Sequence, residues 1–294
     1  MVENFIFYNS PAKINLFLKI VGKINDEFHD LESVFAYLNL YDQIKLSCGI
    51  ETVDKPLIKL EISGDTNNII NPQDNIFTKI FNFFVSEFKI DRNINIELIK
   101  NIPIGAGLGG GSSNGACLMN FINDQFNLTL SKSKLQEISF KFGSDLAFFF
   151  EDKASIVRKR GFVSCNINKF EPIDVLLINP NIHISTKEIF DNFQQNYSNL
   201  IPDITILKQN PIDLIKDCPN QLQEITQLIE PKIAELLLFL KSQRPIAAKM
   251  TGSGSTCFAI FDNKDMFDQS FQNCLAKFPR YYIKKAKIIH SNEK

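Results

Sequence analysis

The feature of this sequence that most clearly predicts chemistry is a run of glycines in its first half. Five glycines fall within seven positions of the segment Pro103–Ser113, called the glycine loop below, and two serines close it. Dense glycines carry an entropic cost, but they let backbone amides approach a ligand closely. Bare amides in front of a helix N-terminus form a cavity for an anion, usually phosphate. The sequence therefore predicts a phosphate site here.

Every residue of the glycine loop is a candidate for contact with bound phosphates. The set is Pro103, Ile104, Gly105, Ala106, Gly107, Leu108, Gly109, Gly110, Gly111, Ser112 and Ser113. The two serine hydroxyls could cap the following helix and also donate to phosphate oxygens or reach a metal.

Three well-known phosphate loops compete for this segment. The P-loop needs a lysine before its Ser or Thr, where this chain has Gly111. Gly105, Gly107 and Gly110 satisfy G-x-G-x-x-G, but a dinucleotide fold places that pattern directly after its first strand, and Asn101–Pro103 intervenes here. A protein-kinase glycine loop is followed by a lysine strand and an H-R-D motif, and the sequence has neither.

A fourth pattern fits. P-x-G-x-G-L-G-x-G-S-S resembles the ATP loop of the GHMP kinases, the superfamily of galactokinase, homoserine kinase and mevalonate kinase. Two further segments agree with it: Pro11–Leu16 resembles the first motif of that superfamily, and Met250–Ser255 resembles the third. The resemblance implies an α+β fold, with an N-terminal nucleotide domain, a C-terminal ferredoxin-like domain and the substrate between them.

The motifs are most similar to one group of GHMP kinases, which phosphorylate a cytidyl diphosphate sugar alcohol. Phe28–Leu31 and Gly143–Asp145 carry this narrower resemblance, which extends from about residue 10 to about residue 260. The chain departs from that group locally, with Phe28 where Tyr is usual and Ser144 where Ala is usual. None of these changes removes a charged group. The resemblance implies a small-molecule acceptor, ATP as phosphoryl donor and Mg²⁺ to neutralise the phosphates.

Lys13 and Asp145 are the candidate catalytic residues. A strand lysine is most often solvated, but the resemblance places Lys13 beside the acceptor hydroxyl. An aspartate after Gly143-Ser144 is most often a turn or cap residue. However, the apolar run after Asp145 predicts a partly desolvated carboxylate, which needs a cationic partner. The resemblance makes Asp145 the base that takes the proton of the acceptor hydroxyl.

The remaining candidates would bind the acceptor. They are Asn15, Phe28, His29, Thr186, Phe190, Gly252 and Gly254. The resemblance implies that His29 helps to bind the cytidine base, in a pocket that Thr186 and Phe190 could complete. A phenylalanine in such a run is more often core, so Phe190 stays open at this point. The third motif would bring bare backbone near the acceptor and the phosphates.

Composition limits the remaining functions. The chain has 294 residues and a net charge of −1, so nothing predicts a general attraction to nucleic acid or to an anionic membrane. Its six cysteines form no C-x-x-C pair and its three histidines are far apart, so no zinc site is expected. No apolar run of about 18 residues and no leader-like start is present, and free thiols suit a reducing cytoplasm. Oligomeric state and metal ligands are not predicted.

Strand-like and helical periods are mixed without regular βαβ alternation, which favours α+β. Strand patterns occur at 13–21, 32–38, 42–47, 57–62, 93–99, 173–178, 247–250, 256–261 and 281–289. Helical patterns occur at 76–88, 112–124, 132–142, 186–195, 219–229, 231–242 and 264–277. We place the domain boundary near residue 160, which gives an N-terminal domain 1–160 and a C-terminal domain 161–294.

The sequence thus predicts a cytoplasmic small-molecule kinase. Three alternatives stay open: a GHMP kinase acting on homoserine, mevalonate or a sugar; a catalytically inactive GHMP-fold binding protein; and a nucleotide-binding dehydrogenase. Intact Lys13 and Asp145 argue against the second.

Overall fold

The computed structural model describes residues 5–25, 28–64, 75–193 and 196–292. Over these ranges the chain forms strands and helices in mixed order. The strands are β1 (Ile6–Lys23), β2 (His29–Cys48), β3 (Ile58–Gly64), β4 (Ile94–Lys100), β5 (Ser155–Lys159), β6 (Phe162–Asn166), β7 (Ile173–Asn179), β8 (Ala247–Met250), β9 (Cys257–Ile260) and β10 (Tyr282–Ile289). The helices are α1 (Ile76–Phe88), α2 (Gly110–Gln125), α3 (Lys132–Ser139), α4 (Thr186–Asp191), α5 (Asp203–Lys208), α6 (Pro211–Asp217), α7 (Gln223–Ile229), α8 (Pro231–Ser242) and α9 (Lys264–Lys277).

The N-terminal half is built around the long antiparallel pair β1 and β2. β4 pairs antiparallel with β2, β3 lies parallel to β4, and the β5–β6 hairpin attaches to the other part of β2. Helices α1 and α2 and a short 3₁₀ helix (Leu146–Phe150) pack on this sheet around an apolar core rich in phenylalanine. The Asn75 side chain caps α1 by accepting from the Thr78 amide at 3.0 Å, which fixes where the helix starts.

The C-terminal half has the strand order β10-β7-β9-β8, and each pair is antiparallel. The chain enters at β7, crosses through helices to β8, returns by β9 and reaches β10 after α9. This β-α-β-β-α-β arrangement is ferredoxin-like. The predicted α+β fold with its ferredoxin-like second half is therefore confirmed.

Two register pairs, Ile288 with Leu38 and Ile289 with Tyr37, join β10 to β2. The two halves therefore share one ten-stranded sheet within the described residues. The turn between β5 and β6 contains residue 160, and the domain boundary near this point stays a prediction. Among the described residues, no helix is long and apolar enough to cross a membrane.

Most predicted elements are present, and the differences have local causes. The two strand patterns at 32–38 and 42–47 belong to one strand, β2. They were separated in the sequence because the polar Asn39 and the half-buried Tyr41 break the apolar pattern in the middle of this strand. The pattern at 132–142 ends as a helix at Ser139, and the one at 186–195 is helical only to Asp191. The 3₁₀ helix, the β5–β6 hairpin, α5 and α6 were not predicted, because these segments are too short for a clear period.

A buried carboxylate fixes the connection after α4 to the sheet. Glu32 on β2 is fully buried and accepts from Arg158 Nη2 at 2.8 Å and from the Ile201 amide at 2.9 Å. A buried charge is tolerated only when it is paired in this way.

We expect Glu32→Ala to lower the free energy of unfolding by about 3 kcal/mol, because it leaves the Ile201 amide and the Arg158 Nε, which donates to Glu32 at 3.2 Å, without their acceptor. Urea denaturation measures the effect. Glu97→Ala is the matched control, since Glu97 pairs with Lys45 on the surface and such pairs contribute about 0–1 kcal/mol. Equal losses in the two variants would contradict this role for Glu32.

Candidate active site

The glycine loop follows β4 and includes the first turn of α2. Gly109 precedes the first residue of α2 and has no side chain to cap it, so the amides of the first turn are open to a ligand. The Ser113 amide closes the first helical hydrogen bond, to the Gly109 carbonyl at 2.9 Å. An uncapped helix N-terminus behind bare amides suits phosphate. The geometry therefore supports the phosphate site that the sequence predicts.

Asp42 holds the residues just before the glycine loop through hydrogen bonds. It was not identified from the sequence. Its carboxylate is fully buried and accepts from the amides of Asn101 and Ile102 at 2.8 and 2.9 Å. The side chains of Lys100 and Asn114 also donate to it. Four donors on one buried carboxylate make this end of the loop rigid. An aspartate between Tyr41 and Gln43 in a strand carries no sequence signal for this role.

The third motif packs directly on the glycine loop. Gly107 has φ 75°, and a Cβ built on it would lie 2.5 Å from the Thr251 carbonyl oxygen and 2.8 Å from that of Gly254. The Thr256 amide donates to the Ala106 carbonyl at 3.2 Å. A Cβ built on Gly105 would lie 2.5 Å from Nδ1 of His183, a second residue that the sequence did not indicate. Glycine is therefore needed at Gly107 because protein backbone, and not only a ligand, lies against it.

Lys13 and Asp145 form the ion pair that the sequence predicts. Lys13 Nζ lies 3.0 Å from Asp145 Oδ2, and the lysine is 2% exposed whereas the aspartate is 36% exposed. The ammonium also donates to Asn15 Oδ1 at 2.7 Å and lies 4.6 Å from the centre of the Phe35 ring. The Lys13 amide donates to the Leu108 carbonyl at 2.9 Å. The pair thus lies beside the glycine loop, with the carboxylate on the solvent side.

Asn15 joins the first motif to the third. Lys13 and Asn15 are two residues apart on β1, so their side chains share one face of the strand. The Asn15 amide donates to Thr251 Oγ1 at 3.0 Å, and its side chain donates to Ser33 Oγ at 2.9 Å. A Cβ on Gly252 would lie 3.5 Å from Asn15 Oδ1, whereas one on Gly254 would meet Met250 Sδ at 2.8 Å. Gly252 therefore lies next to Asn15, and Gly254 faces the domain interior.

The two loop serines differ in their surroundings. Ser113 is buried, and its hydroxyl accepts from Ser10 Oγ at 2.7 Å. Ser112 is partly exposed, with its Oγ 3.8 Å from a Cβ built on Gly143. Of the two predicted hydroxyl donors, Ser112 is thus the one open to a ligand near Asp145.

An aromatic cluster lies at the start of β2. The His29 ring stacks on Phe190 with centroids 5.3 Å apart, and its edge contact with Phe193 spans 5.7 Å. Burial lowers the pKa of His29 from its ordinary value, nearby Lys23 lowers it further, and Asp191 opposes the shift. The imidazole therefore favours its neutral form, which has one donor and one acceptor nitrogen.

Phe28 stacks on a cation and not on Phe190. The Arg160 guanidinium carbon lies 3.7 Å from the centre of the Phe28 ring. Arg160 comes from the β5–β6 turn, where a Cβ on Gly161 would lie 2.0 Å from the Ser144 carbonyl oxygen. The β5–β6 turn therefore packs against both the Phe28 ring and the segment that carries Asp145.

Thr186 and Asn220 hold the third motif from its other side. Thr186 Oγ1 lies 2.9 Å from Ser253 Oγ. The Asn220 side chain donates to the carbonyls of Met250 and Gly252, each at 2.8 Å. Asn220 was missed because an asparagine after a proline predicts only a turn.

No three His, Cys, Asp or Glu side chains in the described ranges lie close enough together to hold a metal ion. The donors near the glycine loop are instead amides, hydroxyls and ammonium groups, which suit phosphate oxygens.

Comparisons with known proteins agree with this geometry. Residues 75–152 match the family described as GHMP kinases N terminal domain, and residues 204–272 match GHMP kinases C terminal. Among solved structures, mevalonate kinase from L. major has a TM-score of 0.73 at 13% identity, covering 99% of both chains. Homoserine kinase from Cytophaga hutchinsonii has a TM-score of 0.69 at 14% identity, covering 100% of this chain and 97% of its own. The fold and the two family matches are those of a GHMP-type small-molecule kinase.

The sequence relatives are more specific. 4-Diphosphocytidyl-2-C-methyl-D-erythritol kinase of Wolbachia sp. subsp. Brugia malayi is 30% identical over 95% of this chain and 97% of the relative. The enzyme of that name from Anaplasma phagocytophilum is 31% identical over 98% and 96%. A crystal structure of 4-(cytidine 5'-diphospho)-2C-methyl-D-erythritol kinase has a TM-score of 0.73 at 21% identity, covering 96% and 99%. The chain belongs to the family of 4-diphosphocytidyl-2-C-methyl-D-erythritol kinases. Membership of this kinase family implies the use of ATP.

We expect Gly107→Ala to raise the KM for ATP by roughly ten-fold or more, because strain of about 1–3 kcal/mol at positive φ adds to the backbone clash. Steady-state kinetics with varied ATP measure the effect. Gly49→Ala is the matched control, since its nearest neighbour would be 3.5 Å away and its φ is ordinary. An unchanged KM for ATP in Gly107→Ala would show that the packing of the two loops does not shape the nucleotide site.

Proposed function

We propose that this protein transfers the terminal phosphoryl group of ATP to the 2-hydroxyl of 4-diphosphocytidyl-2-C-methyl-D-erythritol, a step of the non-mevalonate route to isoprenoid precursors. The observation that carries the proposal is the 3.0 Å pair between Lys13 and Asp145, beside the glycine loop and the third motif. The names of relatives that are 30–31% identical over nearly the whole chain support the choice of acceptor.

The reaction needs a hydroxyl that loses its proton as it attacks phosphorus. Asp145 presents a partly exposed carboxylate, and we assign it as the base that accepts this proton. The new bond forms between the acceptor oxygen and the terminal phosphorus, the bond from that phosphorus to the bridging oxygen breaks, and ADP leaves. Lys13 pairs with the carboxylate, and its positive charge stabilises the charge that develops on the oxygens during transfer.

The glycine loop and the first turn of α2 would hold the phosphates, with Ser112 as an additional donor. Mg²⁺, when present, neutralises phosphate charge. We propose that it arrives bound to the phosphates of ATP, because Mg²⁺ commonly binds substrate phosphates and keeps several waters. This mode of binding is supported by the groups near the glycine loop. They are amides, hydroxyls and ammonium groups, which bind phosphate oxygens rather than a metal ion.

The aromatic cluster supports recognition of a cytidine base. The pyrimidine would stack on the face of Phe28 opposite Arg160, with His29 offering one donor and one acceptor to the base edge. Phe190 holds the His29 ring, so its role in this proposal is to orient the imidazole. Asn15, Gly252 and Thr186 would line the path from the base to the reacting hydroxyl.

We also place the protein in the cytoplasm, acting on small molecules only. Free thiols at all six cysteines support this location, since disulfides are the usual mark of oxidising compartments.

An ADP-release assay over a panel of acceptors tests the proposed function. We expect turnover with the cytidyl diphosphate substrate and at most background ADP release with homoserine, mevalonate and galactose. A preference for another acceptor would assign a different GHMP activity. Background release with all four, despite ATP binding, would favour the inactive binding protein, and NAD(P)H binding would favour a dehydrogenase.

Asp145→Asn should lower kcat by about 10²-fold or more, because it removes the base at constant size. Lys13→Ala should also lower kcat, and the double variant should lose much less than the product of the single losses, since the two residues act as one unit. Single-turnover kinetics measure all three. The surface pair Lys45→Ala and Glu97→Gln should give near-neutral, additive effects. Additive losses at Lys13 and Asp145 would contradict their joint action.

Phe28→Ala should raise the KM for the acceptor by roughly ten-fold, since base stacking contributes about 1–3 kcal/mol, and leave the KM for ATP nearly unchanged. Phe28→Tyr should restore the acceptor KM because it keeps the ring face. Phe88→Tyr, in the N-terminal core, is a control for substitution of a ring distant from this cluster. A change in ATP affinity alone would show that the base pocket is misplaced.

A further inference from the structure

A cavity lies beside the third motif, and neither residue of the catalytic pair lines it. Its volume is about 800 Å³, and it is lined by α7, the end of α8 and the strand β8, with one side open to solvent. Lys216 at the end of α6 completes its rim. The described residues that line it include none from the glycine loop and neither Lys13 nor Asp145. The cavity is therefore separate from the glycine loop and from the reacting groups, although Phe193, whose ring contacts His29, forms part of its wall.

The charge of this cavity favours an anion. Three lysines line it, Lys216, Lys241 and Lys249, against one acid, Glu224. Burial lowers the pKa of Lys249, while Cys218 and Asp217 oppose that shift. The Lys249 ammonium donates to the Cys218 carbonyl, and its half-buried position leaves it short of water. An anion in the cavity would add counter-charge near this half-buried ammonium.

The sheet edge adds hydrogen-bonding groups to the cavity wall. β8 is the last strand of the sheet, and the Met250 amide and carbonyl point away from β9, to the side chains of Gln223 and Asn220. Because orientation alternates along a strand, the backbone of Ala248 points to the same side, and Ala248 lines the cavity. One amide and one carbonyl are thus directed at the space beside the lysines.

The rest of the lining combines amide side chains, among them Asn192, Asn196 and Gln221, with an apolar part that is open to solvent. Leu228 is 81% exposed at the rim, and Ile225 and Ile246 also line the cavity. We propose that this cavity binds a small organic anion, a phosphate or carboxylate attached to an apolar body, whose charge meets Lys216 and Lys241 and whose body covers Leu228.

An occupant of the cavity would act on the acceptor site. Asn220 lines the cavity, and its side chain holds the carbonyls of Met250 and Gly252. Gly252 lies against Gly107 and Asn15, so a shift of Asn220 changes the backbone beside the reacting groups. The cavity is therefore a regulatory site for the kinase, coupled through the third motif.

Phenyl phosphate is a suitable probe of this cavity because it joins a phosphate to an apolar ring. Benzyl alcohol tests the apolar part alone, and inorganic phosphate tests the anionic part alone. Isothermal titration in the presence of saturating ATP should show one site for phenyl phosphate and weaker binding of each half. The double variant Lys216→Ala/Lys241→Ala should raise the Kd by about ten-fold, since two charge-assisted contacts are lost. Lys232→Ala is the matched control, because Lys232 is an exposed lysine on α8 that does not line the cavity.

Equal affinity of the wild type and the double variant for phenyl phosphate would contradict the proposed anion site. Competition between phenyl phosphate and ATP would also contradict it. Coupling is read from the KM for the acceptor, which should change by about three-fold or more with phenyl phosphate in the wild type and not in the double variant. Binding with no change in KM would overturn the coupling. This second readout rests on the proposed function, whereas the titration does not, so the two failures are distinguishable.

Discussion

The structure depends on one physical constraint, the burial of the Lys13 ammonium. A positive charge that is 2% exposed cannot be left without partners, because burial of an unpaired charge costs far more free energy than a domain can spare. Its partners are Asp145, the side-chain oxygen of Asn15 and the face of Phe35. Asn15 lies on β1, Phe35 on β2 and Asp145 in the turn before the 3₁₀ helix. The contacts that neutralise the charge therefore also bring these elements of the site together.

The same constraint explains why the three motifs lie together although they are far apart in the chain. The amide of Lys13 binds the glycine loop at Leu108, and Asn15 binds the third motif at Thr251. Gly107 then lets the second and third motifs touch through their backbones. The ten-stranded sheet holds the two halves together. The pairing of β2 with β10 joins the half that carries the glycine loop to the half that carries the third motif.

The sequence predicted the parts of this account that rest on short motifs and clear periods. The glycine loop and a cationic partner for Asp145 were predictable from short motifs, and the α+β class from the strand and helix periods. The ferredoxin-like half was predictable only from the resemblance to the GHMP kinases. Asp42, Asn220 and His183 were not, because each acts through contacts with residues 60 or more positions away or through a turn that many sequences share. The partner of Phe28 was also missed: Arg160 lies in a turn whose Gly161 packs against Ser144, a close approach that no pattern in the sequence predicts.

The most direct test of the central claim is a crystal structure of the ternary complex with the cytidyl diphosphate acceptor and a non-hydrolysable ATP analogue. We predict that the 2-hydroxyl lies about 3 Å from an Asp145 carboxylate oxygen, in line with the terminal phosphorus, with Lys13 still paired to that carboxylate. An acceptor hydroxyl more than about 6 Å from Asp145, or a Lys13 ammonium that has left the carboxylate, would contradict the account.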